Sequence, residues 1–131
     1  MSGTIYPTIE EVLMLHSLLL SRYGGEPGVR DLGMLDAALH RPRSGYYESL
    51  SEQAAALLQS LANNHAFLDG NKRVAFATTA IFLQINGFAV QATADDTETF
   101  LIEEVIKARA PTQQLATWIG AHISQHPSEP R

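Results

Sequence analysis

The chain contains no cysteine. That excludes a disulfide scaffold, a thiolate metal site and a cysteine nucleophile, and it fits a reducing compartment. Positive charge is scarce: nine Lys and Arg face fourteen Asp and Glu, a formal net charge of −5 at pH 7. Proteins that coat nucleic acid neutralise its phosphates with Lys and Arg. The balance here argues against direct nucleic-acid binding and leaves room for one small basic pocket. The first seven residues carry no basic leader and no apolar stretch, so they do not read as a secretory signal. The longest strongly apolar run, residues 74–85, falls short of the roughly 20 residues that a spanning helix needs. The expectation is a cytoplasmic protein without a membrane partner.

What is present suffices for one folded domain. At 131 residues, 45% hydrophobic and 18% charged, the chain can bury a core. We expect a single domain over residues 1–131, frayed at 126–131. Helix signals recur. Thr8 and Glu11 have capping-box spacing at the head of a helix that carries Ile9, Val12, Leu13, Leu15, Leu19 and Leu20; Tyr23-Gly24-Gly25 closes it. Asp31 is an N-cap for a second helix with Leu32, Leu35, Ala38 and Leu39 on one face, stopped by Arg41-Pro42. Residues 42–48 read as a loop or short hairpin. A second capping box, Ser49 with Glu52, opens a helix to about Asn64, and another runs from near Asn71 to Asn86-Gly87. Residues 88–94 look extended, and 95–109 and 112–124 look like two further amphipathic helices. The class is all-α, about six helices.

Charge is distributed unevenly. Between Glu52 and Asp69 the one ionisable side chain is His65, and after Arg73 there is none until Asp95. Asp69, Lys72 and Arg73 therefore stand alone where two largely apolar helices meet, and such helices occupy the centre of a bundle. Charges there are costly unless they are paired or serve a site. Surface capping explains Asp69 by itself but not the set. Asp69-Gly70-Asn71 precedes a helix whose first N–H groups lack helical acceptors, and the helix dipole adds positive potential. Two cations in the first turn run against the usual preference for acidic residues, and a bound anion explains them. Gly70 permits close backbone approach, and Asp69 offers a hard oxygen for Mg²⁺ bridging phosphates. His65 is of the residue type that exchanges a proton near neutral pH. Phe67 is apolar and anchors the loop in the core.

At these residues the sequence resembles the Fic/Doc superfamily, whose motif reads His-x-Phe-x-Asp/Glu-Gly-Asn-x-Arg. Residues 65–73 match it at every fixed position. Ser21-Arg22-Tyr23-Gly24-Gly25, Pro27-Gly28, Asp31 with Gly33, Ala38-Leu39 with Arg41-Pro42, and Phe82-Leu83 with Asn86-Gly87 are similar to the Doc toxin (death-on-curing) branch, so the resemblance covers most of residues 5–90. Ala66 departs from the proline usual after the histidine. Lys72 stands where adenylylating Fic enzymes have glycine, a change characteristic of the Doc branch.

The resemblance implies a six-helix bundle with the active-site loop at the N-terminus of a buried central helix. It implies the toxin of a type II toxin–antitoxin system, with ATP and Mg²⁺ as cofactors. The γ-phosphate would pass to a hydroxyl of a translation factor, elongation factor Tu, and arrest translation. In the roles so implied, His65 is the general base and Asp69 holds Mg²⁺. Phe67, Gly70, Asn71, Lys72 and Arg73 bind the nucleotide, with Lys72 and Arg73 also offsetting transition-state charge. The loop 42–48 would receive the target backbone. Self-inhibited Fic proteins carry Ser or Thr followed three residues on by Glu and then Gly or Asn. No Glu here precedes Gly or Asn, so a cognate, Phd-like antitoxin is expected to inhibit in trans.

Three other readings stand beside this one: a Fic-type adenylyltransferase, a metallohydrolase in which His65 and Asp69 share a metal, and a catalytically silent antitoxin-binding module. Elsewhere, His16 reads as a satisfied core histidine rather than a ligand, and His40, His122 and His126 as solvated residues of helix ends or the tail. Asn63-Asn64 ends a helix. Trp118, with Leu115 and Ile119, is core or interface. Tyr46 and Tyr47 pack their loop or dock a partner.

Overall fold

Two capping boxes set the frame. In the computed structural model, which describes residues 3–125, helix α1 (Ile9–Tyr23) begins where Thr8 Oγ1 accepts from the Glu11 amide at 3.1 Å and Glu11 Oε1 accepts from the Thr8 amide at 2.8 Å. Gly24 ends it at φ 83°, its N–H donating to the Leu20 carbonyl. Helix α2 (Leu32–His40) is capped by Asp31 and continues into one 3₁₀ turn, Arg41–Arg43. The segment that follows is a loop without the hairpin entertained for it. Helix α3 (Leu50–Asn63) repeats the capping box with Ser49 and Glu52, and α4 (Asn71–Ile85) follows the loop 64–70.

Helix α3 is the hub. Ala54, Ala55, Leu57, Leu58 and Leu61 are buried, and it packs most extensively against α4 and α6 (Thr112–Ala121). Small side chains on α3 let its neighbours approach closely. Helix α4 lies centrally among α3, α1 and β1 (Phe88–Val90) and buries Val74, Ala75, Thr78, Thr79, Phe82 and Leu83. Among the described residues the fold is all-α, six α-helices with one small antiparallel pair of strands, and the candidate loop sits at the N-terminus of the buried α4. Among the described residues no helix is long and apolar enough to cross a membrane.

The C-terminal third departs from the expected two helices. Helix α5 covers only Ala94–Thr99, and Phe100–Lys107 is wound as a π-helix. Phe100, Val105 and Ala110 are buried. Within the π-helix Phe100 and Val105 lie five residues apart, a spacing that i→i+5 bonding serves. The last helix stops at Ala121, three residues before its expected end. Residues Ile123–Gln125 form β2, antiparallel to β1 with Val90 opposite Ile123. The exposed edge of β1 takes up those backbone groups, and the Gln91 amide also donates to the His122 carbonyl. His122 is therefore not a solvated helix end: it stacks on Trp118, which stacks on Phe100, both at 3.9 Å between centroids. The tail 126–131, with His126, lies outside the described residues.

Arg41 ties α2, α3 and α6 together. Its guanidinium donates to Tyr47 Oη (2.9 Å), the Ala56 carbonyl (3.3 Å), Ser60 Oγ (2.9 Å) and Thr112 Oγ1 (3.1 Å). No carboxylate among the described residues pairs with it. Its worth therefore lies in the fan of donors rather than in charge neutralisation. Arg41→Ala strands those acceptors and should lower stability by about 1–3 kcal/mol, read as a lower urea midpoint at unchanged m. Arg41→Lys should restore little of it, because a single ammonium cannot span the same four acceptors.

Candidate active site

The loop between α3 and α4 is held in a strained, fully tied conformation. His65 turns the chain at φ 53°, in the left-handed region that few non-glycine residues adopt. Its carbonyl accepts from Arg30 Nε at 2.8 Å. The Ala66 carbonyl accepts two amides, from Arg30 and Asp31, and the Leu68 amide donates to the Gly28 carbonyl. Val29 and Phe67 form an isolated antiparallel bridge. The link between α1 and α2 thus lies along the loop as an extra strand. Glycine is needed in it: a Cβ on Gly28 would meet Leu68 Cδ1 at 2.9 Å, and one on Gly25 would meet Asp69 Oδ2 at 3.0 Å.

Beneath the loop, Phe67 is buried and stacks on His16 at 3.8 Å between centroids. His16 Nε2 lies 2.8 Å from the Asp69 carbonyl, an acceptor, so that nitrogen carries the proton. The Asn71 side-chain amide pairs with both backbone groups of Phe67: the Phe67 amide donates to Asn71 Oδ1 (3.1 Å), and Asn71 Nδ2 donates to the Phe67 carbonyl (2.9 Å). Gly70, at φ 78° and ψ 17°, turns the chain into α4. No side chain caps α4, and its first intrahelical bond comes from the Val74 amide to Gly70. The amides of Asn71, Lys72 and Arg73 therefore have no helical acceptors.

Asp69 projects from this frame with both oxygens engaged, Oδ2 by the Glu26 amide (3.0 Å) and Oδ1 by the Gly70 amide (2.8 Å). These two N–H groups, the Glu26 amide foremost, hold its carboxyl below the usual carboxylate range. Burial opposes them, and the charges of Arg73 and His16 add lesser lowering effects. Neither Lys72 nor Arg73 is in an ion pair with a described residue. Arg73 instead lies over the ring of Tyr23, its Cζ 4.4 Å from the centroid.

A cleft of about 1340 Å³ opens over the loop. It exceeds the about 300–1,000 Å³ of common small-molecule sites. His65, Asp69, Gly70, Asn71, Lys72 and Arg73 all line it. Phe67 does not: it supports the loop from below. Asn71 lines the cleft, but its amide is spent on the loop. The segment 42–48 lines no part of it. It is tied to the first turns of α3, where Gln53 Nε2 donates to the Tyr47 carbonyl.

A family model described as the Fic/DOC family matches residues 6–83. The chain belongs to the Fic/DOC family. It is similar to "Toxin Doc" of Mycolicibacterium smegmatis (strain ATCC 700084 / mc(2)155), 47% identical over 108 residues, which are 78% of this chain and 81% of that one. It is also similar to "Protein kinase doc" of Escherichia phage P1, 41% identical over 85 residues, 62% of this chain and 68% of that one. These relatives place it in the Doc branch, as the resemblance of the motif implied.

Sequence reasoning overlooked the frame of this Fic/DOC loop. His16 was legible only as a satisfied core residue, Tyr23 only as part of a helix stop, and Arg30 and the Glu26 amide gave no signal. The run of glycines at 24, 25 and 28 was the available clue, since close backbone approach requires such residues.

The hydrogen bonds to Asp69 carry a pH signature. Its folded pKa lies below the unfolded value near 3.9. The stability it adds is therefore full above about pH 4 and is lost as pH falls through the lowered folded value. Wild type and Asp69→Asn should differ by a constant amount in urea midpoint from pH 7 to about pH 5, and the gap should close on further acidification.

Proposed function

We propose that this protein is a Doc-type toxin, a nucleotide-dependent transferase that moves the γ-phosphate of ATP onto a hydroxyl of a translation factor. One observation carries the reading. The N-terminus of α4, which no side chain caps, carries Lys72 and Arg73 in no ion pair with a described residue and opens onto the same cleft as His65 and the braced carboxylate of Asp69. That is an anion site beside a proton acceptor and a hard oxygen ligand.

The residues divide the work as follows. The acceptor hydroxyl gives its proton to the His65 imidazole as its oxygen attacks the γ-phosphorus. The bond from that phosphorus to the β,γ-bridging oxygen breaks, ADP leaves, and the proton passes from His65 to water. The products are a phosphoester and ADP. The amides of the first turn of α4, with Lys72 and Arg73, take up charge on the phosphate oxygens. Gly70 keeps those amides open, and Asn71 holds the backbone that presents them. Phe67 contributes from below by fixing the loop.

Asp69 is the residue that would hold Mg²⁺. Its exposed, low-pKa carboxylate fits an ion usually bound by one or two carboxylates, phosphate oxygens and water. When bound, the ion would offset negative charge on the phosphates. Among the described residues no three His, Cys, Asp or Glu side chains gather as a metal set. A catalytic zinc site with about three protein ligands has no such set here, which disfavours the metallohydrolase. Lys72 favours γ-phosphate over AMP transfer, because its side chain fills the space that a glycine leaves for a diphosphate and offers a point charge instead. The family pattern supplies the rest of the proposal: a single domain acting in the cytoplasm, elongation factor Tu as acceptor, and a Phd-like antitoxin in a type II toxin–antitoxin pair.

Two tests follow from these roles. With elongation factor Tu as acceptor, label from γ-³²P-ATP should appear on it and label from α-³²P-ATP should not. His65→Ala should lower transfer about 10²-fold or more while circular dichroism stays unchanged. An AMP-sized mass gain on the acceptor would replace the kinase with an adenylyltransferase. Expression of the chain alone should slow bacterial growth, and co-expression of the antitoxin encoded beside it should restore growth. Harmless accumulation of the folded protein would exclude a toxin.

A further inference from the structure

We propose that Tyr23 is the positioning residue for Arg73, holding the guanidinium by its face so that every N–H donor stays free for phosphate. The proposal rests on the reading of Arg73 as a phosphate ligand. It starts from an oddity: Tyr23 is 56% exposed, the last residue of α1, and yet it lines the cleft. Its ring lies under Arg73, 4.4 Å from centroid to Cζ, while Arg22 stands farther off at 5.8 Å.

An arginine in a site can be fixed in two ways. A carboxylate at its edge takes two in-plane donors and cancels its charge. An aromatic ring against its face takes no donor and leaves the charge in place. Arg73 has the second arrangement, with no ion pair to any described residue. The Asp69 carboxylate interacts with it only at longer range. A group meant to meet a highly charged ligand is better held this way, since nothing must be displaced when the phosphate arrives.

The backbone that presents the ring is firmly placed. Gly24, at φ 83°, stops α1 directly after Tyr23 and returns its N–H to the Leu20 carbonyl at 2.7 Å. Leu20 in turn lies against Gly70, where a Cβ would meet its Cδ2 at 3.6 Å. The end of α1 and the start of α4 are thus in register, one presenting the ring and the other the guanidinium. What the arrangement needs at position 23 is a flat face. A hydroxyl is not needed.

The test uses the full chain with elongation factor Tu and γ-labelled ATP. Tyr23→Leu should lower kcat about 3- to 10-fold with a smaller change in the KM for ATP, and Tyr23→Phe should stay within about twofold of wild type. Tyr23→Leu combined with Arg73→Ala should be no worse than Arg73→Ala alone. In ¹H–¹⁵N spectra the Arg73 Nε–Hε signal should lie upfield from the ring current in wild type and Tyr23→Phe, and move downfield in Tyr23→Leu. This comparison needs no acceptor. An unmoved Arg73 signal in Tyr23→Leu overturns the contact. Equal losses in Tyr23→Phe and Tyr23→Leu overturn the stacking role in favour of the hydroxyl. Loss of activity in Arg73→Ala with none in Tyr23→Leu overturns the proposal but not the functional reading, whereas full activity in Arg73→Ala overturns both.

Discussion

The pairing of the Asn71 side-chain amide with both backbone groups of Phe67 is the constraint on which the site depends. A buried backbone N–H and C=O with no secondary structure around them must find partners. Asn71 supplies both from the first residue of α4. It thereby fixes the distance between the loop and the helix that follows. Phe67 can then point inward onto His16 while His65 and Leu68 face the cleft. The bridge between Val29 and Phe67 gives this segment its extended form.

The electrostatics follow from that geometry. The chain is acidic overall, but its acidic residues are kept off the first turn of α4, where the two cations and the open amides accumulate. Asp69, directly before the helix, is held by neutral N–H donors rather than by a cation. The cations are therefore not spent on internal ion pairs, and the positive end of the helix remains available to an incoming anion. Asp69 stays ionised and outward for the same reason.

How much of this was legible in sequence depended on distance along the chain. The starts of α1, α2 and α3 were readable because Thr8, Asp31 and Ser49 act within three residues of themselves. The motif could be placed at the head of α4 because its glycine and its cations break local helix rules. The frame was not readable, since its contacts join His16 to Asp69, Glu26 to Asp69 and Arg30 to His65 across 53, 43 and 35 residues. The π-winding of Phe100–Lys107 and the departure of Ile123–Gln125 into a strand failed for a related cause. Each is set by what it packs against or pairs with, and propensity gives way to such partners.

The separation of frame from motif bears on the order of folding. The residues that grip the loop, from His16 to Asp31, leave the ribosome before the loop itself, but they can close on it only after α3 and α4 have packed. Contacts of such long range form late and carry a loop-closure cost. A chain with its helices formed but α1 undocked would carry the whole motif and no organised site. Organisation of the site is thus tied to completion of the fold, since the motif alone does not supply the contacts that hold it.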